Sequence, residues 1–210
     1  MHKIIVFDLD GTLINSDEAI FLSWKEMFDN FYNGEFSSIA LNTFSGPPIS
    51  VTHKKYFSNY DFSFIKNEYL TRTTKYYKDH IFLFDNEINV LQNLIKKGYI
   101  LTIFTNKSKE KLHLCLKMFG MERLFDFIVS GDDIRESKPN PEGLRLIKDH
   151  YNCTKDDLFF IGDTLYDYEA ARQFDIDFAF LTILQRDILK DSKTLQFKNY
   201  EEIDNFFVEI

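Results

Sequence analysis

Composition and charge exclude several broad classes for this chain. It has 210 residues and a formal net charge of −8 at pH 7, from 33 acidic side chains and 25 Lys or Arg. This balance argues against binding to a nucleic-acid backbone or to an anionic membrane surface. Cys115 and Cys153 are too few for a disulfide framework and lack zinc or redox spacing. With no visible N-terminal signal and no apolar run long enough to cross a bilayer, we expect a cytoplasmic protein.

The first residues predict a buried strand that ends in two carboxylates. Residues 3–7 are rich in β-branched and aromatic side chains, and Asp8-Leu9-Asp10-Gly11-Thr12 follows directly. Asp8 and Asp10 stand at i and i+2, so they should point to the same side and repel each other unless a cation lies between them. This indicates half of a metal site. The alternative is a solvated hairpin turn, but apolar residues at helical spacing follow, so the strand should lead into a helix capped at Ser16 or Asp17.

Residues 16–83 predict helices without an interrupting strand. Three helices are expected, at residues 19–32, 49–59 and 62–79, with breaks at Asn33-Gly34 and at residues 45–48. We therefore predict an all-helical subdomain over residues 16–83, inserted into a core formed by residues 1–15 and 84–210.

The rest of the chain alternates between helix and strand. Helices are predicted at residues 87–97, 109–119 and 141–149, and strands at 99–104, 125–129 and 158–161. Such alternation is typical of an α/β protein with a Rossmann-like, doubly wound parallel sheet. In these sheets ligands bind at the carboxyl ends of the strands.

Further polar groups follow the later strands. Thr105 and Asn106 come after one strand, at a helix start whose free N–H groups could bind phosphate, although a plain N-capping segment is the alternative. Lys138 stands beside two prolines that could aim it inward, although an isolated Lys-Pro is usually a solvated loop. Asp163 and Asp167 follow a third strand, and helix N-termini favour Asp in any case.

These motifs in this order (DxDGT, Thr-Asn, Lys-Pro and GDxxxD) resemble the haloacid dehalogenase-like hydrolases. The similarity covers residues 3 to about 180 and is strongest to the phosphoglycolate phosphatase and β-phosphoglucomutase group, which carries a helical cap after the first motif. It implies a phosphoric monoester hydrolase that uses Mg²⁺ and an aspartyl-phosphate intermediate. Oxygen ligands with retained waters also suit Mg²⁺ on chemical grounds.

The resemblance implies a role for each matching position. Asp8 would be the nucleophile and Asp10 the general acid/base, while Thr105, Asn106 and Lys138 would bind the phosphoryl oxygens. The Mg²⁺ ligands would be Asp8, the backbone carbonyl of Asp10, and Asp163. Asp167 would support that shell or orient Lys138. Because a carboxylate stands at position 10, turnover of phosphate esters is favoured over halide release.

Three alternatives stay open from the sequence. A phosphosugar mutase differs mainly in whether a sugar hydroxyl or water accepts the phosphoryl group. A phospho-receiver also uses acidic residues, a Thr or Ser and a Lys, but has an adjacent acidic pair at its first strand. A binding protein without catalysis is the third.

The expected substrate is a small phosphorylated metabolite, and the expected state is a monomer or weak dimer. Candidate specificity residues in the predicted cap are Asp17, Trp24, the Gly46-Pro47-Pro48 turn, His53, Lys54, Arg72 and Lys75. The alternative for most of them is a plain surface charge, and for His53 a solvated or capped histidine.

Overall fold

The core of the protein is a parallel β-sheet, seen in a computed structural model that describes residues 3–32, 44–185 and 194–208. Within these ranges the sheet has six strands: β1 (Ile4–Phe7), β2 (Ile100–Phe104), β3 (Phe127–Val129), β4 (Leu158–Gly162), β5 (Asp177–Leu181) and β6 (Leu195–Phe197). Their spatial order is β3-β2-β1-β4-β5-β6, and every pairing is parallel. This order confirms the predicted Rossmann-like topology.

Helices cover both faces of the sheet. The helices that the structure describes are α1 (Asp17–Phe31), α2 (Ile49–Tyr56), α3 (Phe62–His80), α4 (Glu87–Lys96), α5 (Lys109–Met118), α6 (Glu142–His150), α7 (Leu165–Phe174) and α8 (Tyr200–Phe206). Because side chains alternate along a strand, Ile5 and Phe7 of β1 pack with α4, α5 and α8. Ile4 and Val6 pack with α6 and α7 on the opposite face. The sheet is therefore doubly wound, as predicted.

Helices α1, α2 and α3 form the predicted cap, inserted between β1 and α4 and built around its own aromatic core. Trp24 is 2% exposed and stacks on Tyr69, with ring centroids 4.2 Å apart. The two connections to the sheet are hydrogen-bonded to each other, with Asn15 N–H donating to Phe82 O at 2.9 Å and Phe82 N–H donating to Asn15 O at 3.1 Å. The limits at residues 16 and 83 stay a prediction.

Several predicted element limits differ from those observed. Helix α2 ends at Tyr56, three residues before the expected end, because residues 57–60 form a turn in which Tyr60 N donates to Phe57 O at 3.0 Å. Helix α3 then begins after Asp61, which accepts from Ser63 N and Phe64 N. Strand β3 begins two residues late, because Phe125 instead packs edge-on against Phe7 in the core. The turn at residues 45–48 is observed, whereas the break at Asn33-Gly34 lies outside the described residues. In the described parts of the chain, no helix combines the length and apolarity needed to cross a membrane.

Candidate active site

The predicted site residues meet at one edge of the sheet. Asp8 directly follows β1, Thr105 follows β2, and Asp163 follows β4, while Lys138 comes from the loop between β3 and α6. These strands are neighbours in the order β3-β2-β1-β4, so their carboxyl ends bring the four side chains together. The four side chains lie at or beside a cleft between the sheet and the cap. The cleft holds about 640 Å³ of empty space, including the part that is open to solvent.

Lys138 is the central cation of the site. Its Nζ donates to Asp8 Oδ1 at 2.5 Å, to Asp167 Oδ1 at 2.6 Å and to the carbonyl of Phe104 at 3.0 Å. The residue is only 3% exposed, so the solvated-loop interpretation is wrong. Because the two carboxylates outweigh the cost of burial, the pKa of Lys138 is raised and the side chain stays charged.

Three buried carboxylates surround this lysine. Asp8, Asp163 and Asp167 each offer an oxygen within 4.8 Å of the others. Burial raises the pKa of Asp8 to about 7, although the nearby Lys138 opposes this effect. One ammonium group cannot neutralise three carboxylates, so the cluster can accept a further hard cation through oxygen ligands.

Asp10 has a partner that the sequence motifs did not identify. Lys107 Nζ lies 2.7 Å from both Asp10 oxygens, and its side chain is 9% exposed. Ser16 Oγ donates to Asp10 Oδ1 at 2.5 Å. Ser16 occupies the predicted N-cap position of α1, but its side chain bonds to Asp10 rather than to the helix. The sequence feature that could have identified Lys107 is its position two residues after Thr105, near the carboxyl end of β2.

Asn106 links three segments around the cleft. Its Oδ1 accepts from Lys138 N at 2.8 Å, and its Nδ2 donates to Gly46 O at 3.1 Å and to Lys138 O at 3.3 Å. Gly46 has φ of +99°, and a Cβ there would lie 2.8 Å from Thr164 Cγ2, so the cap turn approaches the sheet edge closely. Thr105 is 2% exposed, and its hydroxyl accepts from Lys107 N at 3.2 Å. Roles of Thr105 and Asn106 toward phosphate stay predictions.

The cap side of the cleft differs from the expected set. Among the candidates, Gly46, Pro47 and Pro48 line the cleft. The other expected residues do not: Trp24 is in the cap core, Arg72 and Lys75 pair with Glu26, His53 contacts the carbonyl of Tyr60, and Asp17 and Lys54 are outside the lining. The cap residues that sequence reasoning missed are Ile20, Phe44, Ile49, Tyr69, Leu70, Thr73 and Tyr77. Most are apolar or aromatic, which hid them among ordinary core positions.

With this geometry established, similarity to known proteins decides the family. The model of the haloacid dehalogenase-like hydrolase family matches residues 5–181, which include every predicted site residue. The chain belongs to this family. Haloacid dehalogenase-like hydrolases generally use a divalent metal, for which the Asp8, Asp163 and Asp167 cluster offers oxygen ligands.

Curated relatives support a phosphatase within this family. The chain is 30% identical over 176 residues to pyrophosphatase PpaX of Bacillus velezensis, covering 80% of this chain and 77% of that protein. It is 29% identical over 171 residues to pyrophosphatase PpaX of Halalkalibacterium halodurans, covering 78% and 75%. The prediction of a phosphatase enzyme is therefore confirmed, and the phospho-receiver alternative is set aside.

Solved structures show the same fold. A protein from Lactobacillus plantarum assigned as a phosphoglycolate phosphatase aligns with a TM-score of 0.88 at 21% identity, covering 99% of this chain and 100% of its own. CbbY from Rhodobacter sphaeroides, in complex with phosphate, aligns with a TM-score of 0.81 at 17% identity, covering 97% and 96%. At these identities the likeness concerns the fold, including the helical cap.

Proposed function

We propose that this hydrolase uses Mg²⁺ to remove phosphate from a small phosphate monoester, with Asp8 as nucleophile. The observation that carries the proposal is the buried contact of Lys138 with both Asp8 and Asp167 beside the cleft. Phosphoryl transfer depends mainly on positioning and on neutralising negative charge. A buried lysine beside a buried carboxylate nucleophile supplies both.

The donor set fits Mg²⁺. Carboxylates and water are the ligands that Mg²⁺ prefers, and the buried cluster has more negative than positive charge without it. Asp8, Asp163 and the backbone carbonyl of Asp10 would bind the ion, with Asp167 supporting the shell and orienting Lys138. When bound, Mg²⁺ would neutralise charge on the phosphoryl oxygens.

The chain's own residues account for each proton and bond. A carboxylate oxygen of Asp8 attacks phosphorus, the bond from phosphorus to the ester oxygen breaks, and protonated Asp10 gives its proton to that oxygen. Asp10 then accepts a proton from the water whose oxygen attacks phosphorus, and the bond from phosphorus to Asp8 breaks, which releases phosphate and restores the Asp8 carboxylate. Lys107 and Ser16 fix the orientation of Asp10 in both steps, since they contact its carboxyl oxygens. Thr105, Asn106 and Lys138 would bind the phosphoryl oxygens.

The cleft supports a small substrate whose leaving group meets aromatic and cationic side chains. Tyr69 and Tyr77 line the cap side, while Lys107 and Lys111 line the sheet side. Pyrophosphate is a second candidate substrate, because the relatives are named pyrophosphatases and Lys111, a buried lysine that lines the cleft, could bind a second phosphate group. We further propose that the protein acts in the cytoplasm as a monomer or weak dimer.

A substrate panel tests the proposal. Phosphate release would be measured with Mg²⁺ on phosphoglycolate, sugar phosphates, nucleotides and pyrophosphate, using the wild type and Asp8→Asn. We expect multiple turnover of at least one small substrate, lost in the variant. The absence of turnover on every substrate, or equal turnover by Asp8→Asn, would contradict the proposal. Transfer to a sugar hydroxyl without phosphate release would favour the mutase alternative.

A further inference from the structure

Helix α8 contacts the turn that follows β1 and carries acidic residues of the site. Tyr200, the first residue of α8, is 1% exposed, and its hydroxyl donates to the backbone carbonyl of Thr12 at 2.6 Å. Thr12 belongs to the turn that carries Asp8 and Asp10. Tyr200 lies outside residues 5–181, the part that matches the family model.

Thr12 also contacts the acidic cluster. Its hydroxyl donates to Asp163 Oδ1 at 3.2 Å, and the residue is completely buried. One residue thus contacts Tyr200 through its backbone and Asp163 through its side chain. A shift of the turn would therefore move the hydroxyl that orients the Asp163 carboxylate.

The position of the Tyr200 hydroxyl is fixed by packing. Its ring stacks with Phe84, with centroids 6.3 Å apart and an interplanar angle of 29°. Ile203, one turn later on α8, is fully buried in the same core cluster as Leu91 and Leu94 of α4. The tyrosine therefore has little freedom to follow a displaced turn, and Thr12 is anchored from a rigid part of the molecule.

We propose that Tyr200 is a positioning residue for the reaction, acting through Thr12 to orient Asp163. Partners of metal-ligating carboxylates commonly set the affinity for the metal as well as the rate. The inference rests on the proposed function, since Asp163 is there a Mg²⁺ ligand. Helix α8 would then help to position a metal ligand, in addition to packing in the hydrophobic core.

The test compares two Tyr→Phe variants of the full-length chain. Tyr200→Phe removes the hydroxyl that contacts Thr12. Tyr99→Phe removes a matched bond, in which the hydroxyl of buried Tyr99 donates to Val208 O at 2.8 Å and ties the same C-terminal segment to the core away from the site. Mg²⁺ affinity would be measured by calorimetric titration, and kcat and KM on the best substrate of the panel.

Direct partners of a metal ligand typically cost about ten- to a hundredfold in metal affinity or activity when they are removed. Because Tyr200 acts one residue further away, we expect Tyr200→Phe to weaken Mg²⁺ binding and to lower kcat by less, about three- to tenfold each, with KM for the ester within about twofold of wild type. Tyr99→Phe should leave all three values within about twofold, even where both variants lower Tm. Unchanged Mg²⁺ affinity and kcat in Tyr200→Phe would overturn the inference while the proposed function stands. Absence of Mg²⁺ binding and turnover in the wild type would instead overturn the proposed function.

Thr12→Val and the double variant test the route of the effect. Thr12→Val removes the hydroxyl bond to Asp163 but keeps a side chain of similar shape. Because Tyr200 is proposed to act through this bond, adding Tyr200→Phe to Thr12→Val should weaken Mg²⁺ binding by less than about twofold more. Effects that multiply in the double variant would contradict the route. Thr12→Val with wild-type Mg²⁺ affinity would also overturn the inference, even if Tyr200→Phe does not fold.

Discussion

Glu87 should make the stability of the fold depend on pH. It is the first residue of α4, is 1% exposed, and uses Oε2 to accept from Phe84 N at 3.0 Å. Its other oxygen, Oε1, is buried without a hydrogen-bond partner in the described structure. Burial raises the pKa of Glu87 to about 8, although the bond from Phe84 opposes this.

The sign and size of the effect follow from this shift. The pKa of Glu87 is about 8 in the folded state and about 4.5 in the unfolded chain. Its stabilising contribution is therefore fully present below about pH 4.5, where the carboxyl group is protonated in both states. This contribution is lost as pH rises from about 4.5 through about 8. The full shift corresponds to about 5 kcal/mol at about 1.4 kcal/mol per pKa unit, which is an upper bound because the α4 N-terminus favours the carboxylate.

Glu87→Gln should remove this pH dependence. The amide cannot ionise and can keep the bond from Phe84 N through its oxygen. Measured by urea denaturation, the variant should match the wild type near about pH 5 and be more stable by a few kcal/mol near about pH 9. Glu110→Gln is the matched control, since that side chain is 79% exposed and should show no such divergence. Parallel stability profiles for wild type and Glu87→Gln would show that ionisation of Glu87 does not set the pH dependence.

Three further predictions follow from the site and the cap. In Gly162→Ala the new Cβ would lie 2.5 Å from Asp167 Cβ, so steady-state assays should show a loss of kcat as Asp167 is displaced from Lys138; wild-type kcat would contradict this. Trp24→Ala should lower the free energy of unfolding by about 3 to 5 kcal/mol, measured in urea, because the indole is buried against Tyr69. Replacing Mg²⁺ by Ca²⁺ should inhibit turnover, because Ca²⁺ accepts more ligands and could bind both Asp8 oxygens; full activity with Ca²⁺ would oppose this assignment.

The sheet and the meeting of acidic residues at one of its edges could be predicted from the sequence, for a physical reason. Each motif follows a strand, and parallel strands bring their carboxyl ends to one edge. Asp8, Lys138 and Asp163 could therefore be expected together although they are far apart in the chain. The alternation of strands and helices along the chain likewise predicted a parallel sheet with helices on both faces.

The remaining contacts depend on tertiary packing and left little local signal. The pairing of Lys107 with Asp10 needs β1 and β2 side by side, and the reach of Tyr200 to Thr12 needs a helix 188 residues later. Charged cap residues such as Arg72 were candidates for the cleft, but Arg72 pairs with Glu26 and Glu68 within the cap. The cleft is instead lined by residues such as Tyr69, whose spacing resembles that of any buried helix face.

We propose Asp8 as the phosphorylated nucleophile and Asp10 as the proton shuttle, and their two Asn variants separate these roles. Asp10→Asn should still be phosphorylated by an ester with a good leaving group but lose about a hundredfold to ten-thousandfold in hydrolysis of the intermediate. Mass spectrometry after rapid quench should then find one phosphoryl group on Asp8 in Asp10→Asn and none in Asp8→Asn. Phosphate on another residue, or undiminished turnover by Asp8→Asn, would contradict the account.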